Sequence, residues 1–123
     1  MDRAKVIKED IVEQDTHFLA VYIEARNSCW IMLSEKEDKM GTLALAVPNP
    51  KGLAGPVTSQ TLLGERNAIS ARMLAEYIAS KKGKITMVSV YLEKLNEIQA
   101  QKIFMNLIEK VFIKENQKES IRT

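Results

Sequence analysis

Apolar residues alternate with a period of two through much of the first half of the chain. In residues 17–26 both faces of this alternation are largely apolar, which is typical of a strand covered on both sides. Residues 29–33 form a second apolar run, and the polar pair Asn27-Ser28 between the two runs is short enough for a hairpin turn. We therefore predict two adjacent antiparallel strands.

Two further strands are predicted in this half. Residues 42–47 alternate large with small side chains, and we expect Leu43, Leu45 and Val47 to fill the core while the alanines between them allow close packing. Residues 4–13 carry charges on both faces, which is typical of an edge strand. All three prolines fall in residues 48–60, so we interpret this segment as the main irregular connection.

The apolar spacing changes to that of a helix in the second half. After a short strand over residues 57–62, apolar residues at spacings of three and four predict a helix that Asn67 caps and that ends at Lys82. Gly83 follows directly and can adopt the left-handed conformation that often ends a helix. We predict the first long helix here.

A strand and a second helix complete the pattern. Residues 85–92 are rich in β-branched side chains, which are typical of a strand. Asn96 with Gln99 three residues later resembles a capping box, and a wide apolar stripe from Ala100 to Phe112 follows it. The sequence therefore predicts a second long helix.

This order of elements predicts an α+β domain. The predicted elements are, in order, four strands, a short fifth strand, a helix, a strand and a helix. They form a mainly antiparallel sheet system, and the two longer helices in the C-terminal half cover one side of it. The 123 residues fit one domain, which we assign to residues 1–113. Residues 114–123 are charged without an apolar period, so we expect a mobile tail.

Charge and cysteine content argue against several classes of function. Eighteen basic and sixteen acidic side chains leave a formal net charge of +2, too small for an electrostatic footprint on nucleic acid. One cysteine and one histidine supply neither an intramolecular disulfide nor a structural zinc site. The longest apolar tract, residues 18–23, is too short to span a membrane, and the N-terminus does not read as a signal peptide. We expect a cytoplasmic protein that binds neither nucleic acid nor membrane.

Few residues suggest chemistry. His17 has no partner nearby in the sequence that marks a catalytic triad, so we interpret it as structural. Cys29 lies inside a predicted strand, where a free cysteine is usually a small buried hydrophobe. The two glycines in residues 52–56 lack both the P-loop ending and the dinucleotide fingerprint. We predict no catalytic residue, no cofactor and no metal.

Five residues are candidates for contact with a partner. Trp30 is the only tryptophan and suits either the core or an interface anchor, because Trp is enriched at hot spots. Lys36 and Lys39 belong to a mixed-charge run between two predicted strands, and Glu65 and Arg66 precede the first helix. Such charges suit the rim of an interface, and the alternative is that they are solvated loop charges.

The sequence also resembles a known family. Residues 57–65 read VTSQTLLGE, and a helix pattern, KGK at residues 82–84 and SVYL at residues 89–92 follow. Upstream, residues 28–32 read SCWIM and residues 43–46 read LALA. In this order the motifs resemble the small proteasome assembly chaperones of the third and fourth kind, in an archaeal-type form, over residues 18–112.

The resemblance implies a function and an assembly. Members of this family are non-enzymatic chaperones without cofactors that help the α-ring of the proteasome core particle to form, so it implies transient binding to proteasome α-subunits. It also implies a sandwich-like sheet core and pairing with a similar subunit, here as a homodimer or higher homo-oligomer. The alternative is a roadblock- or longin-like scaffold subunit. An enzyme that uses His17 or Cys29 is the third hypothesis.

Overall fold

Six strands form one mixed sheet, and two helices lie against one of its faces. A computed structural model of the chain describes residues 3–49 and 57–122. The elements in chain order are β1 (Lys5–Glu13), β2 (Thr16–Glu24), β3 (Ser28–Glu35), β4 (Thr42–Val47), β5 (Thr58–Leu63), α1 (Ala68–Lys82), β6 (Ile85–Tyr91) and α2 (Glu97–Arg122). The irregular connection predicted for residues 48–60 lies largely outside the described residues, and residues 58–60 belong to β5.

The strand order across the sheet is β1-β2-β3-β6-β4-β5. The β3–β6 pair is parallel and the other pairs are antiparallel. Helix α1 connects β5 to β6 across β4, while α2 follows β6 and packs on β1 and β2. The prediction of an α+β fold with the long helices in the C-terminal half is confirmed, and the predicted edge strand at residues 4–13 is the outer strand β1.

The core lies between the sheet and the two helices. Alternate residues of each inner strand face the helices and are almost completely buried. From α1 and α2 the largest contributions are Leu74, Ile78, Phe104, Leu107 and Ile108. Phe18 and Phe104 meet edge to face with their ring centroids 6.0 Å apart, which is a favourable aromatic geometry. This contact anchors α2 to β2.

Strand β4 faces the helices with its small residues. Ala44 and Ala46 are fully buried, whereas Leu43 and Leu45 are half-buried on the opposite face and Val47 is exposed. The prediction that Leu43, Leu45 and Val47 fill the core is therefore wrong. The buried stripe of α1 itself contains three alanines, so small side chains on both partners bring this helix close to β4. Alternation along a strand defines two faces but does not say which one a helix covers.

The helix ends follow the sequence at two of the four positions, the C-terminus of α1 and the N-terminus of α2. Gly83 is left-handed and donates its N–H to the carbonyl of Ala79 at 2.8 Å, and Asn96 Oδ1 accepts the N–H of Gln99 at 2.9 Å. Asn67 does not cap α1 through its side chain as predicted, because its own φ is +66°. Helix α2 is regular as far as Arg122, and the mobility of segment 114–123 stays a prediction.

Gly64 and Gly83 provide a matched pair of substitutions. Both have positive φ, +85° and +66°, but a Cβ on Gly64 would lie 2.7 Å from Thr42 Oγ1, whereas one on Gly83 would meet nothing within 4 Å. We expect Gly83→Ala to lower the free energy of unfolding by about 1–2 kcal/mol through backbone strain alone. Gly64→Ala should lower it by about 1–3 kcal/mol more, because the contact adds overpacking. Urea unfolding measures the loss of unfolding free energy in both variants. Equal losses would show that the contact with Thr42 adds nothing to the cost at Gly64.

Candidate interaction site

The face of the sheet that points away from the helices is apolar, and we call it the open face. Strand pairing aligns one row across five strands, in which Val6 lies opposite Ile23, Ile23 opposite Trp30, Trp30 opposite Met87 and Met87 opposite Leu45. In the next row, Lys8 of β1 lies opposite Val21, and Met32, Ser89 and Leu43 follow. Residues of both rows fall on one face because side chains alternate along each strand.

These side chains are covered only in part. Ile23, Trp30, Met32 and Met87 are half-buried by their neighbours in the sheet, and Val6 at the edge is 53% exposed. Both helices pack on the other face. A contiguous apolar patch across five strands is characteristic of a protein interface rather than of a surface exposed to water. The open face is therefore the first candidate interaction surface.

Four loops meet at one end of the sheet, which we call the loop end. They join β1 to β2, β3 to β4, β5 to α1 and β6 to α2. Lys36 and Lys39 lie in the second of these loops, and Glu65 and Arg66 lie in the third. The Thr42 hydroxyl donates to the carbonyl of Arg66 and so connects the two loops. The four charged candidates therefore belong to one end of the molecule.

Hydrogen bonds from buried side chains fix the β3–β4 loop. The Ser34 hydroxyl donates to the Lys39 carbonyl at 3.0 Å and accepts the Lys39 N–H at 3.2 Å. At the end of the loop, Gly41 donates its N–H to Ser89 Oγ at 2.8 Å. Gly41 leaves no room for a side chain, since a Cβ there would lie 2.2 Å from the carbonyl oxygen of Val90. The loop is thus held in one conformation by contacts with β3 and β6.

Glu35 fixes the β6–α2 loop. Its carboxylate is buried and accepts the backbone N–H groups of Glu93, Lys94 and Leu95 at 3.2, 3.0 and 3.1 Å. Hydrogen bonds from backbone N–H groups to a carboxylate are stronger than those between neutral groups. Lys36 Nζ lies 3.9 Å from the Glu93 carboxylate on the outside of the same junction. The loop end is therefore pre-organised before any partner arrives.

The five candidate residues lie on two surfaces. Trp30 is on the open face, five residues before Glu35 along β3, which places it about 16 Å from the loop end. Lys39 lies over the ring of Tyr91 at 5.2 Å and pairs with Glu37, while Glu65 and Arg66 are exposed. The structure does not surround Trp30 with these charges. Trp30 belongs to the open face and the four charged residues belong to the loop end, where Lys39 reaches onto the open face over Tyr91.

The two residues of the enzyme hypothesis are far apart. His17 is exposed at the start of β2, and its Nδ1 lies 3.7 Å from the Asp10 carboxylate. Cys29 is buried at the opposite end of the sheet, where burial raises the pKa of its thiol. The two side chains share no cleft. Among the described residues, no group of three or more His, Cys, Asp and Glu side chains is placed to hold a metal ion.

A charged cluster closes the end of the sheet opposite the loop end. Glu24 is 8% exposed in its side chain and receives hydrogen bonds from the Tyr22 hydroxyl at 2.6 Å and from Lys84. Lys82 Nζ lies 2.9 Å from the Glu24 carboxylate and 2.6 Å from that of Glu115 on α2. Lysines between two buried carboxylates compensate charge that would otherwise be costly to bury. The cluster ties α2 to α1 and to the sheet.

The two carboxylates respond to this environment in opposite directions. Burial by itself raises the pKa of Glu24, but hydrogen bonds with Glu115, Lys84, Tyr22 and Lys82 outweigh it and hold that pKa well below its ordinary value. Burial raises the pKa of Glu115, and its proximity to Glu24 raises it further. The ionised form of Glu24 is therefore the one that folding favours.

Glu24→Gln tests the charge at this cluster. Because folding lowers the pKa of Glu24 below 4.5, its ionised form contributes stability at neutral pH, and this contribution is lost as pH falls below 4.5. We expect the variant to lose about 1.5–3 kcal/mol of unfolding free energy at pH 7, and its difference from the wild type to shrink progressively as pH falls from 4.5 toward the lowered pKa of Glu24. Glu115→Gln, at a carboxylate whose pKa folding raises, should cost less at pH 7. Equal losses at pH 7 would contradict this assignment.

Sequence reasoning did not single out Glu24, Ser34 or Glu35. A usable signal is present for Glu24, since it continues the buried-face alternation of Phe18 and Tyr22. Glu35 does the same at the end of β3. An acidic residue at a core-facing position marks a buried carboxylate that needs donors. The identity of those donors depends on contacts with residues about 60 positions away and is not readable locally.

The comparisons with known proteins support the same fold. No protein-family model matches the chain, and no curated protein matches it significantly. Among solved structures, a chain from the crystal structure of a chaperone complex for yeast 20S proteasome assembly aligns with a TM-score of 0.63 at 15% sequence identity. The alignment covers 87% of this chain and 96% of that chain. Neither helix of the described residues has the length and apolar content for crossing a membrane. The chain has a proteasome assembly chaperone-like fold.

Proposed function

We propose that this protein is a non-enzymatic, cytoplasmic assembly chaperone that binds proteasome α-subunits transiently and promotes formation of the α-ring. The observation that carries the proposal is the fold shared with a chain of a yeast 20S proteasome assembly chaperone complex over most of both chains. The motifs in residues 28–32, 43–46, 57–65 and 89–92 support it independently, because they resemble the same family in sequence.

The proposal includes a homodimer formed through the open face. The resemblance implies a sandwich-like sheet core, whereas one chain supplies a single six-stranded sheet. A second copy placed face to face would complete the sandwich at the usual spacing of about 10 Å between sheets. The row from Val6 to Leu45 would then be buried in a contact that is the same from both sides, as a two-fold axis requires. The half-buried Trp30 lies near the middle of this row and would anchor the pair.

The loop end is the proposed surface for the α-subunit. A chaperone that assists assembly must also leave, and transient interfaces are more polar than permanent ones. Mixed charge is supplied there by Lys36 and Lys39, on the β3–β4 loop that Ser34 holds in place, and by Glu65 and Arg66, on the β5–α1 loop that Thr42 connects to it. Fixed loops reduce the conformational entropy that binding would cost. Charges at a rim act mainly on the rate of association.

Capture of α-subunits from the same organism tests this function. We expect immobilised wild-type protein to retain free α-subunits or incomplete α-rings and not finished core particles. Lys36→Glu combined with Lys39→Glu should slow capture, and the loss should be larger at low than at high ionic strength because salt screens surface charge. Arg26→Glu combined with Lys102→Glu changes the net charge equally at exposed positions outside the four loops of the loop end and serves as the control.

Two results would contradict the proposal. One is retention of finished core particles at full stoichiometry by the wild-type protein, which excludes a transient role. The other is an absence of any α-subunit capture at tens of micromolar protein. An equal loss in the control variant would instead show that net charge, rather than the loop end, governs association.

A further inference from the structure

The two edges of the sheet are protected differently. The outer strands are β1 and β5. Strand β1 carries five charged residues among its nine. Lys110 and Lys114 of α2 donate to its backbone carbonyls, at Asp10 and Lys8, over 2.9 and 3.3 Å. Charged side chains and engaged carbonyls are the usual means by which an edge strand is kept from pairing with another chain.

Strand β5 has less of this protection, because its own side chains are uncharged, although Arg72 of α1 engages its Ser59 carbonyl at 3.4 Å. Its sequence TSQTLL contains neither a charged residue nor proline. Thr58, Gln60 and Leu62 are exposed, and Leu63 at its end is 52% exposed. An uncharged edge strand of six residues can accept a further strand. Among the described strands, β5 is the edge that is open to pairing.

Two charged side chains of α1 reach over this edge. Ser59 Oγ accepts a hydrogen bond from Arg72 Nε at 3.1 Å and donates one to Glu76 Oε2 at 2.8 Å. Arg72 also lies 3.4 Å from the Ser59 carbonyl oxygen. The guanidinium and the carboxylate therefore both sit at the edge strand, one helical turn apart along α1. Their charges are opposite and their order along the helix is fixed.

We infer that β5 pairs antiparallel with β5 of a second copy about a two-fold axis beside Ser59, so that two sheets join edge to edge. Self-pairing about a two-fold axis requires antiparallel strands, and residues directly opposite each other must point to the same face. An axis beside Ser59 satisfies both conditions and confines the strand pair to residues 57–61, with Ser59 opposite Ser59, Thr58 opposite Gln60 and Val57 opposite Thr61. No like charges then face each other within the strand pair.

The charges of α1 complement each other in this arrangement. Paired strands lie about 4.8 Å apart, which brings the two Ser59 residues and the side chains bound to them close together. The two-fold axis reverses the direction of α1 in the second copy. Arg72 of one copy therefore faces Glu76 of the other, twice. This complementarity identifies a second copy, rather than an unrelated strand, as the occupant of the edge.

The edge contact is compatible with the sheet-face pair. The β5 seam extends the sheet within its own plane, whereas the homodimer proposed through the open face stacks a second sheet on top of it. One copy can therefore make both contacts. Where the two-fold axes of the two contacts intersect at right angles, the contacts close on a particle of four chains, each of 13.9 kDa. The four-chain size rests on the proposed sheet-face homodimer, but the edge seam does not.

Charge exchange between Arg72 and Glu76 tests the seam by sedimentation equilibrium at low salt. Arg72→Glu alone places four acidic groups at the seam, and Glu76→Arg alone places four basic groups there. Each should weaken the association by about a hundredfold or more, because juxtaposed like charges cost several kcal/mol. An equimolar mixture of the two variants, or the double exchange within one chain, should restore it. Gln60→Lys adds a charge to the strand itself and should also dissociate the seam.

The outcomes separate this inference from the proposed function. The seam is supported if single reversals halve the wild-type mass and the mixture restores it. It is overturned if both single reversals leave the mass unchanged, or if neither the mixture nor the double exchange restores it. Trp30→Glu, with Leu45→Glu as a second variant, removes the sheet-face pair instead. If these variants leave the mass unchanged while Arg72→Glu reduces it, the sheet-face homodimer fails and the seam stands.

Discussion

A six-stranded sheet with helices on only one face is the constraint on which the structure depends. Two helices bury the inner side of the four central strands, yet the opposite side is also apolar, in a row that runs from Val6 through Trp30 to Leu45. An antiparallel sheet that faces water normally carries polar residues on that side. The open face therefore has the composition of a covered surface, and we propose a second copy as its cover.

Buried carboxylates at both ends of the sheet hold α2 in the position that leaves this face free. At the loop end, Glu35 binds three backbone N–H groups of the segment that carries the chain from β6 over to β1 and β2. At the other end, Glu24 and Glu115 share Lys82 and tie the second half of α2 to the sheet. A charged group buried with complete partners specifies one arrangement, because any other arrangement leaves it unpaired. Both helices are therefore fixed on one side.

Local patterns predicted the elements but not all of the faces. Periodicity located all eight elements, and Gly83 and Asn96 marked helix ends, since these signals depend on residues within one turn. The orientation of β4 was mispredicted, because Ala44 faces the helix only when α1 approaches closely, which is a tertiary fact. The backbone donors of Glu35 are also set by tertiary contacts, so the local sequence does not predict them. For the interaction surfaces, the sequence indicated Trp30 and the loop charges separately, but only the strand register shows the apolar row that contains Trp30.

Fluorescence of Trp30 on dilution tests the sheet-face homodimer most directly. Trp30 is the only tryptophan in the chain and lies on the open face, so its emission reports on that face alone. If a second copy covers the face, dilution through the dissociation range should shift the emission to longer wavelength, in step with the loss of mass seen by sedimentation. An emission maximum that stays constant down to the monomer mass would show that the copies associate through another surface and would contradict the account.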